Sequence, residues 1–361
     1  MTIHRLELLD FRIYREAAVD FGPGLTVILG ENGQGKTSLL EAVSWATGLG
    51  SFRGAADETL IRTGAESAVI RAEATGRDGR RQLVEAELPR AGRNRVKLNR
   101  QPLRRRSDLI GAVPATVFTP EDLDLVKGGP ASRRRWLDSA AASLQPSHAV
   151  HCNDLERIVK QRNALLRSAG GRLDTDAAFT LDVWDAKLAE TGTALRSTRE
   201  ALLEEVEPRL CAAYEAVAAE STRISARYAA SWQADLASAL AQSRTIDLRR
   251  GVSTVGPHRD EISLQIGGAA ARTHGSQGEQ RSLVLAMRLA VDSLIRQGGG
   301  AQPVLLLDDV FSELDYRRAQ ALREALPEGQ TLLTTATWAP PGAAPDRVLE
   351  VTSGTVLEKQ P

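Results

Sequence analysis

A glycine-rich stretch, GENGQGKT at residues 30–37, constrains this chain more than any other feature. It follows the apolar run Leu25–Leu29 and precedes an apolar-periodic stretch that begins at Ser38. A strand, a glycine-rich turn and a helix in this order gather backbone N–H groups and the positive end of a helix dipole around one anion site. We therefore expect a nucleotide-phosphate site built from Gly30, Glu31, Asn32, Gly33, Gln34, Gly35, Lys36, Thr37 and Ser38.

Four side chains have individual expected roles at this site. Lys36 can reach the outer phosphates of ATP, and the hydroxyl of Thr37 can ligate Mg²⁺. A second apolar run, Val304–Leu307, ends in Asp308 and Asp309. We expect Asp308 to help hold Mg²⁺ and Asp309 to orient or deprotonate the attacking water. Taken alone, this second run is better explained as a strand that simply ends at an acidic turn.

Composition describes an ordinary globular chain of 361 residues, enough for two domains or for one large domain with an insertion. The sequence contains no run of 18 apolar residues, and its first residues lack the apolar segment of a signal peptide. Cys152 and Cys211 are far apart and lie in helical-looking stretches, so we interpret them as reduced thiols. These features together predict a cytoplasmic protein.

The pattern of elements divides the chain into three stretches. Residues 1–130 and 251–361 alternate strands and helices, which indicates a largely parallel α/β sheet. Residues 131–250 carry apolar residues at helical spacing, so we expect a helical arm inserted between two halves of one nucleotide-binding lobe. Gly192 and Pro208 are candidate break points in the long second helix of this arm.

Positive charge is concentrated although the chain as a whole is neutral, with 46 basic and 46 acidic residues. Residues 90–106 contain eight basic side chains and no acid, and a second cluster covers residues 133–135. We favour contacts with DNA phosphates for the first cluster over a solvated or internally paired face. Aromatic residues make up only 4%, which argues against extensive base stacking. The candidates for DNA contact are Arg93, Arg95, Lys97, Arg104, Arg105 and Arg106.

A third motif, SQGEQ at residues 276–280, lies about thirty residues before Asp308, and Ser312 and Asp315 follow shortly after it. This order of phosphate loop, signature loop, acidic strand and D-loop resembles that of ATP-binding-cassette ATPases. In that family the signature loop caps the γ-phosphate held by a second subunit, so the resemblance implies a two-fold dimer with two sandwiched ATP molecules. The residues expected to act in trans are Ser276, Gln277, Gly278 and Glu279. The alternative is that SQGEQ is an ordinary helix cap.

Three further positions are open to two interpretations. His258, in Gly-Pro-His-Arg, is more readily a structural residue or a lobe contact than a catalytic one. Glu121 lies where cassette ATPases carry a coupling glutamine, and it either takes part in such coupling or caps the following helix. Residues 334–337 read TTAT where transporter cassettes place a histidine, and a threonine is a poor proton acceptor, which fits a slow switch.

Several stretches resemble the RecF family of bacterial recombination and repair proteins over the whole length of the chain. They are LELLDFRIY at residues 6–14, GENGQGKTSLLEA at 30–42, TPEDL at 119–123, KGGP at 127–130, RRRWLD at 133–138, KQRN at 160–163, GPHRD at 256–260 and SELD at 312–315. Asp10 and Ile13 stand where the family usually has asparagine, and Trp136 where it has Phe or Tyr. None of these departures affects an expected catalytic position.

This resemblance implies an ABC-type P-loop ATPase head of α/β class with an inserted helical lobe, similar to the heads of SMC proteins. It also implies ATP-dependent dimerisation, slow hydrolysis with Mg²⁺, and binding to double-stranded, gapped or single-stranded DNA. Cooperation with the mediator proteins RecO and RecR, and indirectly with RecA, would follow in gap repair, replication restart and the SOS response. A nuclease fused to an ATPase head lacks room after Asp315, and a transport cassette would carry the missing glutamine.

Overall fold

The computed structural model describes residues 2–76, 79–104, 106–109, 113–218, 220–297, 302–336 and 343–359. These residues form two compact units, each made from more than one stretch of the chain. The first unit comprises Met1–Asp122, Ala213–Glu220 and Leu285–Pro361, and the second comprises Leu123–Ala212 and Ser221–Val284. The chain therefore leaves and re-enters the first unit, as expected for an inserted lobe. The second unit extends to Val284, which differs from the predicted division at residue 250.

The first third of the chain supplies most strands of the first unit. In chain order they are β1 Thr2–Phe11, β2 Tyr14–Asp20, β3 Leu25–Leu29, β4 Ser67–Thr75, β5 Arg81–Pro89, β6 Arg95–Leu98, β7 Gln101–Leu103 and β8 Ala115–Phe118, with helix α1 Lys36–Ala46 between β3 and β4. Short 3₁₀ turns cover Asp57–Leu60, Arg106–Leu109 and Pro120–Leu123.

The middle of the chain is mainly helical. Its elements are α2 Asp124–Lys127, α3 Pro130–Leu144, α4 Pro146–Ser168, α5 Thr175–Ala218, β9 Ile224–Ala229, α6 Leu236–Arg250, β10 Glu261–Ile266, β11 Ala269–Ala270 and α7 Ala271–His274. The last part contains α8 Gln277–Gln297, β12 Val304–Asp308, the 3₁₀ turn Val310–Glu313, α9 Tyr316–Ala325, β13 Thr331–Thr335, β14 Arg347–Thr352 and β15 Thr355–Lys359. Within the described ranges, no helix is both long enough and apolar enough for a transmembrane span.

Two six-stranded sheets organise the first unit. One is antiparallel, with the order β2-β1-β4-β5-β6-β7, and it contains the hairpin β4–β5. The other has the order β15-β14-β3-β13-β12-β8, in which every pair is parallel except β14–β15. β13 thus lies between β3 and β12. Because these three strands run in parallel, the ends that carry the phosphate loop and the acidic pair share one edge.

Apolar residues on both faces of the parallel sheet explain its position in the core. Helix α1 packs on one face, where Leu39, Leu40 and Trp45 join the buried side chains of the antiparallel sheet. On the opposite face Leu285 and Leu322, from α8 and α9, belong to a second buried cluster. The strands β3 and β12 are accordingly almost continuously apolar, and β13 is buried at all five positions although three of them are threonine, as a sheet covered on both faces requires.

Helix α5 continues through both predicted break points and is 44 residues long. Gly192 is required by close packing, because a Cβ atom there would collide with Leu236 and come 3.1 Å from Pro257. Pro208 lies between the fully buried Val206 and Leu210. Burial of one helix face on both sides of the proline therefore outweighs the loss of one backbone hydrogen bond.

A buried arginine connects three elements of the second unit. Arg162 on α4 is fully buried, and its Nε donates to Asp185 on α5 at 2.6 Å. Its Nη1 donates to Asp247 on α6 at 2.7 Å and to the hydroxyl of Ser253 at 2.9 Å. A buried guanidinium needs such compensation, so this network fixes the mutual register of the three helices.

We expect Arg162→Met to lower the free energy of unfolding by about 3–5 kcal/mol, because it leaves two buried carboxylates without their cation. Urea denaturation of the purified chain measures this loss. Arg157→Met is the matched control on the same helix, since Arg157 pairs with Asp154 at an exposed position and its replacement should change stability little. Equal stability of the two variants would contradict the network.

His258 is a structural residue in this unit, as its sequence context suggested. Its Nε2 donates to the carbonyl oxygen of Ser253 at 3.2 Å. Burial lowers the pKa of His258 to about 4, so the ring is neutral at physiological pH. The same segment anchors the unit through Asp260, which accepts hydrogen bonds from the backbone N–H of Ser231 at 2.7 Å and from the hydroxyl of Tyr228.

The lowered pKa of His258 makes the stability of the protein depend on pH. The pKa of His258 is about 6.5 in the unfolded chain and about 4 in the folded one. Between these two pH values the unfolded chain binds a proton that the folded chain does not, so the free energy of unfolding decreases as the pH falls through this range. We expect His258→Gln to reduce the stability lost between pH 7 and pH 5 by about 1–2 kcal/mol. Urea titrations at the two pH values test this, and His274→Gln, at an exposed position, should leave the loss unchanged.

Candidate nucleotide site

The turn between β3 and α1 is shaped by glycines that no other residue can replace. Gly30 has φ +154°, and a Cβ atom there would collide with the carbonyl oxygen of Val351. Gly35 has φ +116°, and a Cβ atom would come 2.6 Å from a methyl group of Ile13. The backbone therefore wraps closely in front of the first turn of α1. This is the place where the motif predicts an anion site built from backbone N–H groups.

Lys36 lies inside this loop and is only 6% exposed. Its Nζ donates to the carbonyl oxygens of Gly30 at 2.6 Å and Glu31 at 2.9 Å. Burial lowers the pKa of Lys36, and the nearby charges of Asp309 and Asp308 oppose this shift. The ammonium is thus held by neutral carbonyls at the loop, and these are weaker partners for it than a phosphate oxygen would be.

Asp308 brings together the three strands that end at this edge of the sheet. Its Oδ1 accepts hydrogen bonds from the hydroxyl of Thr37 at 2.9 Å and from that of Thr334 at 2.7 Å. Burial raises the pKa of this carboxyl, and the two hydroxyl groups partly counteract the shift. A hydroxyl and a carboxylate beside a phosphate loop are hard oxygen ligands, so Thr37 and Asp308 fit a Mg²⁺ ion.

Asp309 points to a different part of the site. Its backbone is in the left-handed region, with φ +51°, and its N–H donates to the hydroxyl of Thr334 at 3.0 Å. The side chain lines the cleft with Lys36. Its Oδ1 is shielded from solvent and has no hydrogen-bond partner among the described residues. Because a shielded carboxylate oxygen without a donor is costly, this atom is suited to bind a water molecule.

A cleft of about 680 Å³ opens in front of the loop, within the first unit. Sequence reasoning assigned some of its lining, namely Asn32, Gly33, Gly35, Lys36, Thr37, Ser38 and Asp309, and missed Arg12, Ile13, Arg53, Thr59, Ile61 and Thr63. Of these, Arg12 has a clear reason to be there, since it makes a two-pronged ion pair with the fully buried Glu41, at 2.8 and 2.9 Å. The sequence signal that could have identified Arg12 is its position next to Phe11 in the N-terminal motif. Arg53 follows α1 in a stretch without periodicity and gave none.

The signature segment has the geometry of a helix cap. The hydroxyl of Ser276 accepts from the N–H of Glu279 at 3.2 Å, and the carboxylate of Glu279 accepts from the N–H of Ser276 at 2.7 Å. This reciprocal arrangement is a capping box, the simpler alternative considered above. Gln280 is buried and donates to the carbonyl oxygens of Ala271 at 2.9 Å and Arg272 at 3.1 Å. Ser276 and Gln277 themselves are exposed on the second unit.

The D-loop candidates have local structural roles in the first unit. Asp315 is the N-cap of α9 and accepts from the N–H of Arg318 at 2.9 Å. The hydroxyl of Ser312 donates to the carbonyl oxygen of Asp309 at 2.8 Å. Ser312 therefore holds the residue after β12 in its unusual conformation.

The basic run is less uniform than its sequence suggested, because neighbouring strands supply acids. Arg95 pairs with Glu87 at 3.0 Å, and Lys97 lies opposite Glu85 in the β5–β6 register. The free guanidinium groups are at the turns and ends instead. Among the described residues, Arg93 and Arg104 are exposed and have no ion-pair partner. Arg105 and the side chain of Arg106 lie outside the described residues.

The second basic cluster turns inward. Arg133 is buried and makes a two-pronged ion pair with Glu261 at 2.8 and 2.9 Å, and it also donates to the carbonyl oxygen of Leu125 at 3.0 Å. Arg134 donates to the carbonyl oxygen of Asp260 at 2.6 Å. This cluster therefore stabilises the second unit, and Arg135 is the exposed member.

Comparison with known proteins shows the family of this chain. Residues 2–339 match the family model described as "RecF/RecN/SMC N terminal domain". The chain is 42% identical to the DNA replication and repair protein RecF of Streptomyces avermitilis, covering 98% of this chain and 97% of that one. It is 41% identical to the protein of the same description from Frankia alni, with 93% of each covered.

Solved structures give the same picture. The structure of the recombination mediator protein RecF bound to ATPrS in the RecFOR pathway matches with a TM-score of 0.91 and 25% identity, covering 99% of this chain and 98% of that one. An SMC head bound to the C-terminal winged-helix domain of ScpA matches with a TM-score of 0.59 and 16% identity, covering 100% of this chain and 98% of that one, which shows a common fold. The chain therefore belongs to the RecF family of DNA replication and repair proteins, and its fold is that of an ABC-type ATPase head.

Proposed function

We propose that this protein is an ATP-switched, DNA-binding recombination mediator of the cytoplasm. The observation that carries the proposal is the meeting of Thr37, Asp308 and Thr334 at one oxygen atom, beside a loop that already holds a lysine. Related proteins described as RecF bound to ATP support the choice of nucleotide. Their description as recombination mediators supports the process.

In the proposed mechanism the loop N–H groups and the first turn of α1 bind the β- and γ-phosphates of ATP. Lys36 exchanges its two carbonyl partners for phosphate oxygens. Thr37 and Asp308 would hold Mg²⁺, and that ion would supply positive charge to offset the charge of the phosphates. Asp309 orients the attacking water through its shielded carboxylate oxygen. Thr334 follows the acidic strand where transporter cassettes have a histidine, and its hydroxyl hydrogen is donated to Asp308. A threonine hydroxyl is a poor proton acceptor, so this residue does not act as a general base, which suits slow hydrolysis.

The second half of the proposed mechanism is dimerisation. Ser276 and Gln277 are exposed at the start of α8, where the helix dipole adds to their capacity to bind an anion. We propose that Ser276, Gln277, Gly278 and Glu279 act in trans on ATP held by a second copy, with Ser312 and Asp315 of the D-loop nearby. Ser276 can cap α8 and also bind a phosphate, because its hydroxyl oxygen accepts from the N–H of Glu279 while its hydroxyl hydrogen can be donated to a phosphate oxygen.

The proposed partners are DNA and other recombination proteins. Exposed, unpaired arginines at strand ends favour contacts to the phosphate backbone over the reading of bases. We propose that the ATP-bound dimer binds duplex, gapped or single-stranded DNA and helps RecR and RecO to load RecA. Gap repair, replication restart and the SOS response would depend on this step.

We expect MgATP, and not MgADP, to convert the protein from monomer to dimer at micromolar concentration, as measured by sedimentation velocity. Lys36→Ala should abolish nucleotide binding and dimerisation together. Ser276→Arg should block dimerisation while leaving ATP affinity within about twofold of the wild type, because it adds bulk only at the face that meets the partner. The control Ser168→Arg, on the exposed end of α4, should dimerise normally. A wild-type monomer in MgATP would contradict the sandwich.

We expect DNA affinity to fall steeply with salt, because phosphate contacts release counterions. Replacing both Arg93 and Arg104 with Gln should reduce the slope of log affinity against log salt by about one to two. Arg95→Gln is the control, because this guanidinium is already paired with Glu87. Fluorescence anisotropy with a gapped duplex measures all three. A slope equal to that of the wild type in the double variant would exclude these two arginines as phosphate contacts.

A further inference from the structure

The turn that joins β14 to β15 lies against the middle of the phosphate loop. The backbone N–H of Ser353 donates to Oε1 of Gln34 at 2.6 Å, and the Ser353 hydroxyl donates to the same atom at 3.2 Å. The N–H of Gly354 donates to the carbonyl oxygen of Gln34 at 3.2 Å. Three hydrogen bonds therefore connect one residue of the loop with a turn more than 300 positions later in the chain.

Gln34 differs from its neighbours in the phosphate loop because it does not line the nucleotide cleft. Asn32, Gly33 and Gly35 line the nucleotide cleft, whereas Gln34 does not. Its amide oxygen is used to accept from Ser353 instead. The side chain of Gln34 thus acts on the loop from outside the cleft, although the motif alone grouped it with the nucleotide-binding residues.

The turn is held in a conformation that few residues adopt. Ser353 has φ +46° and Gly354 has φ +77°. A Cβ atom on Gly354 would come 3.0 Å from the carbonyl oxygen of Ile13, so only glycine fits between the two hairpins at this distance. A non-glycine residue in the left-handed region costs free energy, which the hydrogen bonds to Gln34 offset.

The loop has two more supports of the same kind. The hydroxyl of Tyr14 donates to the carbonyl oxygen of Gly35 at 2.9 Å. The carbonyl oxygen of Val351 lies so near Gly30 that a Cβ atom there would collide with it, so the backbone of β14 packs directly against the start of the loop. Contacts from β2 and from the C-terminal hairpin therefore fix the loop at its start, its middle and its end. A loop with three glycines would otherwise lose much conformational freedom each time it bound a phosphate.

We propose that Gln34 is a positioning residue, and that the Ser353–Gly354 turn holds the phosphate loop in its binding conformation through it. The proposal rests on the proposed function, since it takes the phosphates of ATP as the ligand of this loop. If the turn releases the loop, the binding-competent conformation is less populated, and apparent affinity falls by the same factor. Nucleotide binding should in turn strengthen the contact between the loop and the turn.

The first test compares Gln34→Leu, which keeps the size of the side chain and removes the acceptor, with Ser353→Ala, which keeps the backbone donor. We expect Gln34→Leu to raise the Kd of both MgATP and MgADP about fivefold, the effect of one well-formed hydrogen bond. Ser353→Ala should change either Kd less than about twofold, because the hydroxyl bond is the longer one. The unfolding temperature of the nucleotide-free variants should stay close to that of the wild type. Unchanged affinity in Gln34→Leu would overturn the proposal.

The second test measures hydrogen exchange, and its decisive result comes from the wild-type chain. Hydrogen exchange of the Ser353 amide should be slow, and MgATP should slow it further. In Gln34→Leu the nucleotide should have no such effect, which a purely structural role of Gln34 does not predict. An unprotected Ser353 amide in the wild type overturns the proposal. Wild-type protein that binds no ATP at all refutes the proposed function instead, so the two failures are distinguishable.

Discussion

One carboxylate oxygen, Oδ1 of Asp308, connects the three strand ends on which the nucleotide site depends. It accepts hydroxyl hydrogens from Thr37 after β3 and from Thr334 on β13, while Asp308 itself ends β12. In the sheet, β13 lies between β3 and β12. Thr37 and Asp308 are in contact although they are about 270 residues apart in the sequence. The buried position of Asp308 makes these hydrogen bonds costly to break, because a buried acceptor without a donor loses its solvation. These hydrogen bonds therefore hold the three strand ends in one arrangement.

The surroundings of the phosphate loop follow from the same need for rigidity. Glycines allow the loop to curl tightly around an anion, but they also leave it conformationally free. Tyr14 from the beginning of the chain and Ser353 from its end supply hydrogen bonds that restrict it. A site of catalytic or regulatory chemistry gains affinity when its groups are fixed by a supporting shell of this kind.

The second unit is stabilised in a different way, by buried ion pairs between helices. Besides Arg162, the nearly buried Arg199 makes a two-pronged pair with Asp138 at 2.7 and 2.8 Å, and Asp138 also accepts from His148 at 2.8 Å. Replacing such networks by apolar residues is often neutral for stability. We therefore attribute to these ion pairs the alignment of the helices along one another rather than a large gain in stability. These pairs join α4 to α5 and α6 through Arg162, and α3 to α5 through Arg199.

The sequence by itself determined the phosphate loop, the acidic strand end and the order of the motifs, because these depend on glycine conformations and on apolar runs that are local in the chain. The antiparallel hairpin β4–β5 has signals of the same local kind, namely alternation of apolar residues and a glycine-containing turn. Only tertiary structure decided that α5 runs unbroken through Gly192 and Pro208, where packing outweighs propensity. It likewise decided which basic residues are free: Arg95 finds Glu87 only across a strand pair, and Arg133 finds Glu261 from 128 positions away. Contacts between distant segments carry no periodic signature, so the support of the phosphate loop by Ser353 could be found only in the folded chain.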